Sequence, residues 1–166
     1  MQYSLVELNQ MGSEEFTEAL GAIFEHTPAI ARNTWDDRPF SSTADLYAKM
    51  VTVVSAMTPA QKLALIQAHP DLGSKAKMAE ASVSEQAGAG LDRLSVEEFD
   101  RFQFLNGEYR KKFGFPFIVA VKNHTKTSIL EAFKQRLDNS PETEMQQALA
   151  EICEIARLRL ESAIHN

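Results

Sequence analysis

Only one run of this sequence has the composition of a β-strand, and that run has no partner. It is the segment 113–121, which reads FGFPFIVAV. A strand needs a second strand for its backbone hydrogen bonds, and the proline inside this run removes one donor. The segment is therefore predicted to be a buried extended crossing, with no sheet around it. A chain without a sheet must build its core from helices.

The rest of the chain carries the start signals and the periodicity of helices. Apolar residues recur at helical spacing, as at Phe16, Leu20 and Ile23. Capping residues or cap-plus-proline pairs precede most of these runs. The predicted starts are Ser13, Thr27 before Pro28, Ser42, Thr58 before Pro59, Ser82, Ser95 with Glu98, Thr127 and Ser140 before Pro141, with one short turn capped by Ser4 and Glu7. This pattern predicts an all-α fold, a single domain over 1–166 with about eight helices and no sheet.

Composition excludes several classes of function. The 166 residues carry a net charge of −6, which argues against general affinity for nucleic acid or for an anionic membrane. No apolar run approaches the roughly 18 residues of a membrane span. Cys153 is the only cysteine, so no internal disulfide can form and a reducing compartment is the natural interpretation. We therefore expect a cytoplasmic protein.

His69 is the first candidate for chemistry. The proline at position 70 pushes the preceding residue out of the α region, so a helix is predicted to end near His69. An imidazole titrates near neutrality and can take or give a proton. A structural role also fits, because a histidine at a helix C-terminus can cap the last carbonyl groups.

Ser82, Glu85 and Gln86 stand at i, i+3 and i+4 and would share one face of a short helix. That face would present a hydroxyl, a carboxylate and an amide, which suits the recognition of a small polar ring. The alternative is a capping box, in which Ser82 begins the helix and Glu85 reaches back to it.

In the last predicted helix, the helical phase separates two arginines. At about 100° per residue, Arg159 falls within the apolar stripe and Arg157 falls outside it. The stripe comprises Met145, Leu149, Ile152, Ala156, Leu160 and Ala163. A guanidinium on the core side needs a partner, either an acidic side chain of another helix or a bound carboxylate. Similarly, the backbone of 113–118 would either contact a ligand or simply cross the core.

Other chemistries have no support in the sequence. The four histidines are far apart and have no ligand spacing with Cys153, so no metal site is expected. There is no glycine-rich phosphate loop and no nucleophile elbow. Cys153 itself is expected to be a small buried apolar residue.

Several motifs together resemble one known family. They are FEHTP at 24–28, Arg38-Pro39-Phe40, HPDLG at 69–73, S-x-x-E-Q followed by AGL at 82–91, FGFPFI at 113–118 and IARLRL at 155–160. In this order and at these spacings they resemble the 2-oxo-4-hydroxy-4-carboxy-5-ureidoimidazoline (OHCU) decarboxylases of purine catabolism. That family is all-helical.

The resemblance implies a cofactor-free decarboxylation that produces (S)-allantoin through an enolate-like intermediate, without a metal. It implies that His69 is catalytic and that Glu85 also handles protons. The substrate-binding residues it implies are Pro70 (in a supporting role), Ser82, Gln86, Phe117, Ile118 and Arg159. It also implies a small anionic ureidoimidazoline substrate and a homodimer.

Two rival hypotheses remain at this point. One is a hydrolase of a neighbouring ureide intermediate, which would need a water-activating base such as His69 or Glu85. The other is a non-catalytic helical interaction module, for which the amphipathic helices would suffice.

Overall fold

The structure is a computed structural model that describes residues 2–73 and 80–165. Nine α-helices form most of this described part. They are α1 (Leu5–Gln10), α2 (Ser13–Leu20), α3 (Ala29–Trp35), α4 (Thr43–Ser55), α5 (Pro59–Gln67), α6 (Glu80–Gly88), α7 (Val96–Phe113), α8 (Lys126–Arg136) and α9 (Pro141–Ala163). A 3₁₀ helix, Val121–Asn123, precedes α8. The predicted all-α class is confirmed.

The expectation of no sheet was wrong in one small respect. Two strands of two residues each, β1 (Tyr3–Ser4) and β2 (Ile164–His165), pair in parallel. Two residues are too few to show an alternating pattern, and the partner lies at the other end of the sequence. The predicted turn after β1 is the short helix α1. Its capping box is confirmed, with Ser4 Oγ accepting from Glu7 N at 3.1 Å and Glu7 Oε2 accepting from Ser4 N at 2.7 Å.

Most predicted helix starts are confirmed. Ser95 and Glu98 form a reciprocal capping box at α7, and Ser42 caps α4. Pro59 is the first residue of α5, and Pro141 is the first residue of α9.

Three other starts were displaced by one residue. Gly12, not Ser13, is the N-cap of α2, and Pro28 rather than Thr27 is the N-cap of α3. Thr125 caps α8 through Ser128 N, so that helix begins one residue before Thr127. Helix ends are defined only to within one or two residues, so shifts of this size leave the predicted helices in place.

The described chain forms two compact units. One comprises Met1–Leu65 with Cys153–Asn166, and the other comprises Ile66–Ile152. In the first unit α3 packs against both α2 and α4. Its buried residues include Leu8, Phe16, Leu20, Ile30, Phe40, Leu46, Met50 and Leu160. The single domain over 1–166 stays a prediction.

The second unit has an aromatic core that surrounds the predicted extended segment. Residues 115–121 are all buried, and none of them belongs to a strand. The ring of Phe117 stacks on the ring of Phe133 of α8 at a centroid distance of 3.8 Å. The ring of Tyr109 of α7 packs edge-on against the same Phe117 ring, at a centroid distance of 5.3 Å. The prediction of a buried extended crossing is confirmed for 115–120, whereas Phe113 ends α7, Gly114 is its exposed C-cap and Val121 begins the 3₁₀ helix.

Helix α9 confirms the predicted phase. Its buried residues include Ile152, Ala156 and Leu160 of the predicted stripe. The Arg159 side chain is 7% exposed, against 39% for the side chain of Arg157. Although α9 is the longest helix, neither it nor any other helix within 2–73 and 80–165 is long and apolar enough to span a membrane.

Candidate active site

His69 lies just beyond the end of α5, as predicted. The helix ends at Gln67, and His69 N still donates to Ile66 O at 3.2 Å. The residue is 7% exposed. A buried imidazole on a turn, followed by the restricted Pro70, has a defined direction.

The three residues after Pro70 are held by side chains of two other helices in the same unit. Asn106 of α7 donates to Leu72 O at 2.9 Å. Arg110 of α7 donates to Asp71 Oδ1 at 2.8 Å. Gly73 N donates to the side-chain oxygen of Gln86 on α6 at 3.0 Å. The loop that carries His69 is therefore fixed at three consecutive residues.

Gly73 is required in this loop for two reasons. Its φ is +68°, and an added Cβ would lie 2.8 Å from Leu94 Cδ1. Gly73→Ala is expected to lower the free energy of unfolding by at least about 1–2 kcal/mol, the cost of a left-handed non-glycine residue. Gly107→Ala is the control, since nothing lies within 4 Å of an added Cβ at this position. An alanine inside α7 should raise the free energy of unfolding by about 0.5–1 kcal/mol. Urea unfolding measures the free energy of unfolding of both variants. Equal changes in the two variants would contradict a specific requirement for glycine at position 73.

Helix α6 presents the predicted polar face. Ser82 and Gln86 are buried, Glu85 is half-buried and Val83 is exposed. The helix begins at Glu80, so Ser82 already lies within it. The alternative in which Ser82 is the N-cap is wrong for that reason. The predicted loop over 71–81 is also too long by two residues, and its residues 74–79 lie outside the described part.

The contact with Gly73 fixes which way the Gln86 amide points. A backbone N–H can only donate, so the atom it meets must be the amide oxygen. The Nε2 group then lies on the other arm of the amide. Gln86 therefore offers a hydrogen-bond donor from a buried and well-held position.

Phe117 and Ile118 lie in the same unit as His69 and α6. Both are buried within the extended segment, and α6 packs against the 3₁₀ helix that follows it. The structure thus connects α6 both to the His69 loop, through Gln86 and Gly73, and to the chain that continues from Ile118.

A buried polar cluster behind this segment was not predicted. It comprises Tyr109, Arg136, Asn139 and Glu144. Burial and the hydrogen bond to Glu144 raise the pKa of the Tyr109 hydroxyl, so it stays protonated and donates. A signal for Glu144 was available, because it lies on the buried side of α9, one turn before Ala148.

Arg159 belongs to the first unit, where it has an acidic partner. Its Nη2 donates to Glu25 Oε2 at 3.0 Å, and its Nη1 lies 3.2 Å from Ala22 O and 3.4 Å from Ile23 O. Glu25 is 1% exposed. Of the two predicted partners of this guanidinium, the acidic side chain is present, although Glu25 lies between α2 and α3 and not in a helix. Glu25 was not predicted as this partner, although it lies within the FEHTP motif.

Cys153 lies in α9, within the first unit. Within the described ranges, no group of three or more His, Cys, Asp or Glu residues is placed to hold a metal ion. Burial raises the pKa of the Cys153 thiol, so the reactive thiolate is disfavoured.

Comparison with known proteins now identifies the family. A model described as OHCU decarboxylase matches residues 9–161. This chain belongs to the OHCU decarboxylase family. An OHCU decarboxylase of Halalkalicoccus jeotgali is 45% identical over 155 residues, covering 93% of this chain and 88% of that protein. An OHCU decarboxylase of Haloferax volcanii is 42% identical over 159 residues, covering 96% of this chain and 95% of that protein.

Two solved structures share the fold of this OHCU decarboxylase family member. A crystal structure of (S)-allantoin synthase superposes with a TM-score of 0.80 and 34% identity, covering 98% of this chain and 54% of the other. The present chain therefore spans about half of that protein. A crystal structure of OHCU decarboxylase in the presence of (S)-allantoin superposes with a TM-score of 0.70 and 24% identity, which speaks for the fold alone. The family predicted from the motifs is confirmed.

Proposed function

We propose that this chain decarboxylates OHCU to (S)-allantoin in urate degradation. Family membership over 9–161 supports the reaction. The observation that links the reaction to particular residues is the buried polar face of α6, which is hydrogen-bonded to the His69 loop through Gln86 and Gly73. A helical interaction module has no need of a histidine loop held at three consecutive residues.

The substrate's own structure defines what the protein must do. OHCU carries a hydroxyl and a carboxylate on one ring carbon and a ureido group on the neighbouring carbon. Breaking the carbon–carboxylate bond releases carbon dioxide and forms a double bond between the two ring carbons. The electrons of the adjacent ring C=N bond move onto its nitrogen, which takes up a proton, and the intermediate is enol-like. The hydroxyl then loses its proton and becomes the carbonyl, while the neighbouring carbon gains a proton and becomes the stereocentre of allantoin. The protein must stabilise the developing negative charge and deliver that proton to one face.

We assign His69 the role of general acid/base at the reacting hydroxyl or carboxylate, with Pro70 as its support. Its burial and fixed loop suit proton transfer, which requires a group held within hydrogen-bond reach. Glu85 is assigned to proton handling, with Ser82 and Gln86 as contacts to the ureido and ring nitrogen and oxygen atoms. The backbone at Phe117 and Ile118 is assigned to ring binding.

In the first unit, Arg159 is proposed as an anion-binding residue. Its guanidinium is held by Glu25 and by two carbonyl groups, which gives it a fixed direction. A rigid guanidinium suits a carboxylate better than a flexible ammonium would. The proposal also includes a homodimer, as the family resemblance implied, and a cytoplasmic location, as the single cysteine suggested.

The test is a circular-dichroism time course. The unstable substrate is generated from urate by the two preceding enzymatic steps, and this protein is then added. Rapid appearance of one allantoin enantiomer supports the proposed function. Slow racemic formation, at the rate seen without the protein, would contradict it.

Gln86 provides a prediction for substrate recognition. Gln86→Glu keeps an oxygen for Gly73 N but replaces the Nε2 donor with a negative acceptor. We expect KM to rise about 10-fold to 100-fold, corresponding to the loss of one buried hydrogen bond, with the melting temperature little changed. Gln103→Glu on the exposed side of α7 is the matched control and should leave KM unchanged. Equal KM values in the two variants would remove Gln86 from the binding site.

A further inference from the structure

Arg136, at the C-terminal end of α8, holds the extended segment at Ile118. Its Nη1 donates a hydrogen bond of 2.5 Å to Ile118 O. Arg136 is 8% exposed and Ile118 is 3% exposed. A buried carbonyl group outside a sheet needs a partner, because leaving it unpaired costs about as much as a lost hydrogen bond. Here that partner is a side chain, so one guanidinium sets the direction of this peptide group.

Glu144 in turn fixes the guanidinium. Arg136 Nε donates to Glu144 Oε1 at 2.8 Å, and the hydroxyl of Tyr109 donates to the same oxygen at 2.6 Å. Asn139 Nδ2 donates to Glu144 Oε2 at 2.9 Å. Glu144 is completely buried. A buried carboxylate that accepts three hydrogen bonds has little freedom to move, so it provides a rigid anchor for Arg136.

The same side chains contact the residue before Ile118. The Arg136 Cζ atom lies 4.3 Å from the centroid of the Phe117 ring. Tyr109 meets that ring edge-on, with an interplanar angle of 87°. The cluster therefore holds both the carbonyl of Ile118 and the side chain of Phe117.

Stability alone is a weak explanation for this cluster. Arg136 Nη2 is buried and finds no hydrogen-bond partner within 2–73 and 80–165. A two-bond pair with Glu144 would use both carboxylate oxygens, but Oε2 is occupied by Asn139. Buried ion pairs often contribute less to stability than apolar side chains of the same size. Arg136 therefore makes a single hydrogen bond to Glu144 and uses another arm of its guanidinium for Ile118 O, an arrangement that weakens the ion pair but holds the Ile118 carbonyl.

We propose that Arg136 and Glu144 are positioning residues of the decarboxylase site. The C=O and N–H of a trans peptide point in opposite directions. With Ile118 O directed at Arg136, the N–H of Val119 is directed away from it, and we assign that N–H to the substrate ring. This inference rests on the proposed function. A misdirected donor lowers the rate and weakens the choice of ring face for protonation.

Arg136→Lys is the first test. Lysine keeps the charge beside Glu144, but a point ammonium lacks the planar fork that reaches Glu144 and Ile118 together. We expect kcat to fall at least about tenfold, the enantiomeric excess of allantoin to decrease, and KM to change less. Arg157→Lys is the control, because the Arg157 side chain is 39% exposed and pairs with Glu154 and Glu161. That control should keep the wild-type kcat and enantiomeric excess.

A second variant guards against simple misfolding. Arg136→Met combined with Glu144→Gln removes both buried charges and keeps an acceptor for the hydroxyl of Tyr109. We expect it to fold, as buried pairs commonly tolerate such replacement, and to show the same loss of enantiomeric excess. Wild-type kcat and enantiomeric excess in either folded variant would overturn the inference.

The amide resonance of Val119 gives a readout that does not depend on turnover. Arg136→Lys should change its ¹⁵N shift and hydrogen-exchange rate, whereas Arg157→Lys should not. An unchanged Val119 amide would overturn the inference even if the wild-type protein is active. An inactive wild-type protein would instead contradict the proposed function, and the amide would still decide whether Arg136 directs the peptide.

Discussion

Replacing His69 by alanine is expected to lower kcat for decarboxylation by at least about 100-fold, the usual contribution of a general acid/base. The backbone of the loop should survive, because Leu72 and Gly73 are held by the side chains of Asn106 and Gln86. The circular-dichroism assay for allantoin measures the rate, and the far-ultraviolet spectrum and melting temperature check the fold.

His165→Ala is the matched control for this experiment. His165 is exposed in β2 and contributes its backbone to the strand pair. Its removal should leave turnover unchanged. Near-wild-type turnover in folded His69→Ala would exclude His69 as the catalytic residue and would leave it as a structural residue at the end of α5.

The second large effect is expected at Glu25. Glu25→Ala removes the buried carboxylate that Arg159 Nη2 contacts at 3.0 Å. Breaking a buried pair from one side typically costs about 3–5 kcal/mol, so urea unfolding should show a loss of that size. Glu161→Ala is the control, since this exposed carboxylate pairs with the half-exposed Arg157, and its loss should be barely measurable. A similarly small loss in Glu25→Ala would contradict the expectation.

The double variant Glu25→Leu with Arg159→Met then separates the two alternatives for Arg159. Apolar replacement of both partners should recover most of the stability. A stable but inactive double variant would support binding of the substrate anion by Arg159. A stable variant with wild-type kcat/KM would show that the arginine serves the fold alone.

Patterns that lie within one element could be predicted from the sequence. The phase of α9 selects Arg159 over Arg157 because burial follows the 3.6-residue period. The Ser95–Glu98 capping box is equally local, and so is the end of α5 before Pro70. The lone strand-like run was enough to exclude a large sheet. Single-residue errors arose at Ser13 and Thr127, because a sequence pattern locates a helix end only to within one or two residues.

Contacts between elements could not be predicted in the same way. Nothing in the sequence around Arg136 indicates that its partners are Ile118 O and Glu144, because these pairings depend on how α8 and α9 pack. Glu25 lies outside any helix, so no periodicity assigns it a face. The pairing of Gly73 with Gln86 likewise joins a loop to a helix, and the family motifs mark both residues without showing the bond between them.

The strand pair β1–β2 has a consequence for the chain as a polymer. Tyr3 pairs with Ile164 and Ser4 pairs with His165, so the chain between the two strands forms one closed loop. Closing a loop of this length carries an entropic cost that four paired residues cannot offset, so the strands are expected to join after the helices have packed. A short peptide linker from His165 back to Gln2 would make the chain circular. Such a circular protein would have fewer unfolded conformations, and it would unfold at a higher temperature while keeping the same native contacts.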